Sequence, residues 1–282
     1  MTHSTQLHGW HQQWMNQVIQ PLRSIQDQVL TAIQASIQEA RQRVVTSKEK
    51  KMLTESDLEN DLIAEMTKET ILQTKVRSMF FMQNKLNSLI DSQWHNHKDW
   101  DFQRASMIEL SELMDHYGYK WWKKQEPNVD QCKLEVIDIL HFHISHLIQL
   151  AIINDDKYDY YAPDLAENLV PIEIDKSPEA IRSLIDEAIF LASSKNFSSK
   201  ALGFLVNAFD ITPNELCDKY IIKNTLNIFR ASNGYKQGTY VKTWNGKEDN
   251  EVLMEVFNTM DSNSSSLAID LYGKLEEIYK AL

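Results

Sequence analysis

The chain has 282 residues, enough for one large domain or two small ones with a real hydrophobic core. Hydrophobic residues make up 43% and charged residues 24%, as in ordinary globular proteins, but there are only 7 glycines and 6 prolines. That is far below the usual glycine share of ~7% and excludes collagen-like, low-complexity and most turn-rich all-β classes. A formal net charge of -11, from 29 basic and 40 acidic residues, argues against a nucleic-acid partner. Two cysteines, Cys132 and Cys217, form neither a CxxC nor a disulfide framework and point to a reducing compartment. The N-terminal MTHSTQLHGW has neither the basic nor the apolar region of a signal peptide. The longest uncharged apolar run, 139–154, carries three His and a Gln and falls short of the ~20 apolar residues of a membrane span. A cytoplasmic protein with no membrane partner is the expectation.

Along the chain the pattern is helical. Leu22, Ile25, Val29, Ile33, Ile37, Ala40 and Val44 recur at steps of three and four, one face of an amphipathic helix. A charged break over 46–55 follows. Ser56 with Glu59 forms a capping box for a second long helix, which carries Leu62, Met66, Val76, Phe80, Leu86 and Leu89. Residues 91–101 read as a loop with Trp94, His95, His97 and Trp100. Helix resumes at about Phe102 and is stopped by Gly118. A third helix, about 130–153, is apolar nearly all round, as a helix in the middle of a bundle would be. Residues 154–175 read as irregular, further helices cover about 178–195, 198–209 and 214–231, and a last one begins near Ser264. Between them Gly234, Gly238 and Gly246 punctuate an ordered loop. No solenoid-length repeat is present. The predicted class is an all-α bundle.

Chemistry enters on the third helix. Glu135, Asp138 and His141 follow one another at steps of three, on one stripe of a helix that is otherwise apolar. Buried carboxylates need cations, either Arg and Lys partners or metal ions. The preceding helix carries Glu109 and Glu112 at the same spacing; alone, such a pair reads as a solvated face. Two such pairs on adjacent antiparallel helices can converge four carboxylates on one point. With no cysteine among them they suit a hard ion such as Mg²⁺ or Mn²⁺, and several ions together suit phosphoryl chemistry. The di-iron bundle class uses ExxH pairs, and this chain has ExxE and ExxD.

Phosphates held by Mg²⁺ need protein cations on the other side. Lys223, Arg230, Lys236, Lys242 and Lys247, interleaved with Tyr235 and Tyr240, supply a local basic excess in an acidic protein. The plain alternative is a charged surface loop. Trp121 and Trp122 follow the first carboxylate helix, and Gln83 and Asn87 lie four apart on one helix face. Such aromatics and amides could hold a nucleobase, though each alone is more usually structural.

These pieces carry a resemblance. QNKLN at 83–87, FQRASMIELSELMDHYGYKWWKK at 102–124, QCKLEVIDILHF at 131–142 and KNTLNIFRASNGYKQGTYVKTWNGKEDNEVL at 223–253 appear in the order found in the dimeric all-α dUTPases, relatives of the MazG-like NTP pyrophosphohydrolases. From about Ser78 to Ala281 the chain resembles that family. The resemblance implies a homodimer that hydrolyses dUTP and dUDP to dUMP with Mg²⁺, for which Mn²⁺ is a possible substitute. It implies that Glu109, Glu112, Glu135 and Asp138 ligate metal, with Glu112 also activating the attacking water. Gln83, Asn87, Trp122, His141 and Asn227 match positions around uracil, and Phe142 one packed on the deoxyribose. Lys223, Arg230, Tyr235 and Lys242 match positions on the phosphates. Where the family often has Trp, this chain has Tyr119 and Leu140, both at packing positions. Residues 1–75 do not align with the family core and read as a helical N-terminal extension to a dUTPase domain at 76–282.

Two rival readings remain at this stage. One is a MazG-like pyrophosphohydrolase of another or modified nucleotide, against which Gln83, Asn87 and Asn227 argue. The other is a non-enzymatic helical interaction protein, against which four intact carboxylates argue.

Overall fold

In a computed structural model, residues 55–97, 99–154, 156, 158–260 and 267–282 are described. The amphipathic pattern at 22–44 and the charged break at 46–54 lie outside them. The chain divides into two compact units, Met1–Ser78 and Met79–Leu282. Of the first, the described part is helix: α1, Glu55–Ile90, runs through it and on into the second unit. α1 takes in Ser56 and Glu59.

The second unit is helical in the order the sequence predicts, with three additions. It contains α2 (Phe102–Tyr117), α3 (Val129–Ile153), α4 (Ala162–Asn168), α5 (Pro178–Ser193), α6 (Ser199–Ala208), α7 (Pro213–Ser232), the two-residue strands β1 (Thr243–Trp244) and β2 (Lys247–Glu248), α8 (Asp249–Phe257) and α9 (Leu267–Lys280). Short polar side chains start the helices. Asp101, Asn128, Ser177, Ser198 and Thr212 each accept a hydrogen bond from a backbone N–H in the first turn, and Pro178 and Pro213 occupy first-turn positions where no N–H is missed. Gly118 ends α2 in a left-handed conformation at φ 89°, which L side chains avoid.

The additions are α4, inside the stretch expected to be irregular, the antiparallel β1–β2 hairpin inside the glycine-rich loop, and α8 directly after it. Periodicity misses them because each is too short for its apolar spacing to repeat. Asn245 and Gly246, both at positive φ, close the hairpin.

The core lies where α2 and α3 pack antiparallel, with α5, α6 and α7 around them. Leu110 and Leu113 of α2 and Ile137, Ile139, Leu140, Ile144 and Ile148 of α3 have no accessible surface. By length and composition α3 could cross a membrane, at a mean hydropathy of 1.7, although the run starting at residue 139 alone looked too short. Here 61% of that window is buried within the fold, as in the central helix of a bundle. Gly203 lets α6 approach the end of α4: a Cβ there would sit 2.0 Å from the Asn168 carbonyl oxygen.

A second cluster closes the far end of α7. Leu226, Phe229, Trp244, Leu253, Leu271 and Leu275 join α7, the hairpin, α8 and α9. Trp244 is fully buried, its ring against Phe229 and Tyr279, and its Nε1 donates to the Val241 carbonyl at 2.7 Å. Trp244→Ala is therefore expected to destabilise the protein by about 3–5 kcal/mol. Denaturant unfolding checks this: a loss under about 1 kcal/mol would mean that the hairpin is not anchored by this ring.

Candidate functional site

Glu109 of α2 and Glu135 and Asp138 of α3 each bring one carboxylate oxygen into a group whose members lie within 4.8 Å of one another. The i, i+3 step puts Glu135 and Asp138 on one stripe of α3, and antiparallel packing turns Glu109 toward it. Glu135 is 5% exposed. Burial first, and then the Asp138 charge, pushes its carboxyl up to about 9. Glu109 is pushed up to about 7 by burial and by the charges of Asp138 and Glu112, despite a hydrogen bond to Glu135. Without a cation, both carboxyls therefore favour their protonated forms more than a free carboxyl does.

The fourth expected carboxylate, Glu112, is not in this trio. It is exposed on α2, one turn beyond Glu109, and its charge acts on both Glu109 and Glu135. His116, one further turn on, places Nε2 3.5 Å from Glu135 Oε1.

Among the described residues, a lysine also reaches the cluster. Lys223 of α7 is 1% exposed, and its Nζ lies 2.7 Å from Asp138 Oδ2 and 2.9 Å from Asn250 Oδ1. Two of its three donors are thereby engaged within the protein. One lysine against three or four carboxylates leaves a net negative site built only of hard oxygen donors. That set fits a divalent ion such as Mg²⁺ or Mn²⁺.

The basic residues after Lys223 divide by partner. Arg230 donates from Nε and Nη2 to the two oxygens of Asp249, at 2.8 and 2.7 Å, in a fork-to-fork pair. Burial works against the guanidinium charge, but the Asp249 hydrogen bonds and charge outweigh it. Asp249 is fully buried and also accepts from the Tyr240 hydroxyl at 2.7 Å. Burial would raise its pKa, yet the Arg230 bonds hold it below the usual carboxylate value. The fork expected for phosphate is thus spent on Asp249. Nη1, with a 3.4 Å contact to Asn227 Oδ1, remains at the guanidinium's other edge. Tyr235 is exposed with its ring 5.7 Å from the Arg230 guanidinium carbon. Lys242 is exposed and 3.5 Å from Glu248.

The amides assemble one turn further along α3. Gln83 and Asn87, 4% and 5% exposed, bond to each other at 3.0 Å from Gln83 Nε2 to Asn87 Oδ1. Asn87 Nδ2 donates to Ser145 Oγ at 3.0 Å, and the Tyr220 hydroxyl donates to Gln83 Oε1 at 2.9 Å. The Tyr220 ring stacks on His141 at 4.1 Å between centroids. Burial lowers the His141 pKa to about 4, so its ring is neutral at physiological pH. Phe142, next in the chain, is half-buried.

Trp122 stands apart. It is 61% exposed, edge-to-face with Trp121, and has no ring or hydrogen-bond contact to the amide group among the described residues. Sequence reasoning also missed Tyr220, Ser145, Asn224, Asp249 and Asn250. Spacing carried a usable hint for one: Tyr220 lies three residues before Lys223 and seven before Asn227 on α7, and so shares their face. Asp249 has no such signal, because only the folded hairpin brings it to Arg230.

A family model described as dUTPase matches residues 75–235, which include the trio, Glu112, the amides and the α7 cations. The match ends before the β1–β2 hairpin, α8 and α9. No curated protein matches the chain. The matched span is more than half of the 282 residues and holds the acidic trio. The chain therefore belongs to the all-α dUTPase family and is a dUTP diphosphatase, a hydrolase acting on a nucleotide.

Proposed function

We propose that this enzyme hydrolyses dUTP and dUDP to dUMP in a Mg²⁺-dependent reaction, with Mn²⁺ as a possible substitute. The observation that carries the metal is the Glu109–Glu135–Asp138 trio, which brings together more carboxylate than Lys223 can neutralise. These three, with Glu112, would hold the ions. Bound there, Mg²⁺ supplies charge to offset the phosphate chain and lowers the pKa of a coordinated water. Glu112, exposed beside the trio, takes the proton of the attacking water at a carboxylate oxygen. Arg230, held by Asp249, presents Nη1 to the phosphates without having to order its side chain first. Tyr235 and Lys242 bracket the same region. Gln83, Asn87, His141 and Asn227 hold the uracil, and Phe142 packs on the sugar. Trp122 would have to move to join them.

The protein would act in the cytoplasm as a homodimer, keeping dUTP low and supplying dUMP for thymidylate synthesis. Exposed Ile108, Tyr119, Trp121 and Trp122 support the dimer by offering apolar surface for a second copy to cover. Residues 1–75 remain assigned as an extension to the catalytic domain.

Pyrophosphate and phosphate release from dUTP, dUDP, dTTP, dCTP and UTP, each with an EDTA control, tests the reaction. Turnover confined to dUTP and dUDP and abolished by EDTA is expected; a broad profile would favour the MazG-like reading. Glu112→Gln is expected to lower kcat by about 10²–10⁴-fold while leaving the fold intact, the range for a general base.

The trio also sets a pH dependence. Glu109 and Glu135 have folded pKa values raised above the unfolded value near 4.5, to about 7 and about 9. Their contribution to stability is full below pH 4.5 and is lost as pH rises through 7 and 9. The melting temperature of the metal-free protein should fall between pH 6 and 9, and Mg²⁺ should flatten that fall. Glu135→Gln should flatten it without metal. A metal-free melting temperature that is flat over this range would contradict the raised pKa values of Glu109 and Glu135.

A further inference from the structure

The face of α2 that bears the two glutamates carries a third polar residue, which the proposed reaction does not use. Glu109, Glu112 and His116 follow one another at steps of three and four, so all three share one stripe of the helix. Because α2 and α3 pack antiparallel, the stripe meets the α3 carboxylates in reverse order. Glu109 stands toward Asp138, whose charge acts on it, and His116 stands toward Glu135.

The His116 Nε2 lies 3.5 Å from Glu135 Oε1. That is longer than the N–H···O bond of about 2.7–3.2 Å. It is close to the separation of ~3 Å between neighbouring donors on one octahedral ion with bonds of ~2.1 Å. The three histidines of α3 differ: His141, His143 and His146 each hold a ring nitrogen within 3.2 Å of a protein partner. The His116 ring has no such bond among the described residues. Its side chain is 37% exposed, and Glu112, one turn before it, is exposed too. The backbone beneath the ring is fixed. The His116 carbonyl accepts from the Asn128 N–H at 2.9 Å, and Gly118 ends the helix two residues later. The adjacent carboxylate, Asp115, is engaged by Lys120 and Gln125. The fold thus delivers an imidazole nitrogen to the edge of the acidic site without giving it a hydrogen-bond partner there.

We propose that His116 is a metal ligand, its Nε2 binding a divalent ion that it shares with Glu135 at the open end of the acidic site. The carboxylates alone offer only hard oxygen donors, which suit Mg²⁺. An imidazole nitrogen suits transition ions better. His116 therefore tilts the seat at Glu135 toward Mn²⁺ over Mg²⁺, while Glu109 and Asp138 remain an all-oxygen pair. The assignment rests on the metal reading above and adds to it a ligand outside the four carboxylates.

The test is pulsed EPR of the Mn²⁺-loaded protein, together with calorimetric titration of Mn²⁺ and of Mg²⁺, for wild type, His116→Gln and His116→Ala. The wild-type spectrum should show coupling of the Mn²⁺ electron spin to an imidazole nitrogen, and both variants should lose it. Their Mn²⁺ affinity should fall by about 10–100-fold and their Mg²⁺ affinity by a smaller factor. Bound Mn²⁺ without nitrogen coupling in the wild type would overturn the assignment, as would a coupling that survives in His116→Gln. Equal losses for the two ions would overturn it as well, because a side chain that only positions Glu135 weakens both alike. Metal-free melting temperatures of the variants should stay close to wild type, the ring being partly exposed and free of hydrogen bonds; if a variant folds poorly, the wild-type spectrum decides alone. Absence of any bound Mn²⁺ in the wild type would overturn the assignment and the metal reading together, whereas every other outcome leaves the metal reading standing.

Discussion

Placing Glu135, buried, and Asp138, half-buried, on the most apolar helix of the bundle is the constraint around which the second unit is arranged. Two carboxylates in that setting cannot both stay charged without a cation within reach. Lys223 answers one of them directly at 2.7 Å and is itself buried to do so. Glu135 answers by keeping its proton, and Glu109 partly so. The bundle therefore carries a standing electrostatic deficit that a divalent cation would relieve. Affinity for metal and strain in its absence are the same physical fact seen from two sides.

A second rule governs the basic side. Arg230 would be costly to bury alone, and Asp249 makes the burial tolerable by engaging two of its donors. Tyr240 shares the same carboxylate, and its ring stacks on Tyr279 of α9. The aromatic cluster around Phe229 and Trp244 thus fixes the direction of the guanidinium as well as holding the hairpin. Binding energy from the substrate need not be spent on ordering this arginine. The amide end follows the same logic in neutral form, with Gln83, Asn87, Ser145 and Tyr220 satisfying one another. Among the described residues, His141 Nε2, His143 Nδ1, Arg182 Nε and the Asn224 amide are buried without a hydrogen-bond partner.

Much of this was legible in the sequence. Apolar periodicity placed α2, α3, α5, α6 and α7 within a residue or two, and Gly118 marked the end of α2, because both signals act over a few neighbouring residues. The i, i+3 spacing of Glu109 with Glu112 and of Glu135 with Asp138 put each pair on one helix face, since helical geometry alone decides that. The motif order carried the family. The short elements α4, α8 and the hairpin were not legible, because their existence depends on packing against partners distant in the chain.

Tertiary structure decided which of these residues do what. It drew Glu109, Glu135 and Asp138 together and left Glu112 exposed beside them. It set Lys223 against Asp138 and paired the Arg230 fork with a carboxylate nineteen residues away. It held Trp122 out at the surface. Helix type, helix ends and facing pairs follow from local backbone and spacing rules, which a sequence states directly. Charge partners, protonation states and unsatisfied groups follow from distances between helices far apart in the chain, and only the folded bundle sets those distances.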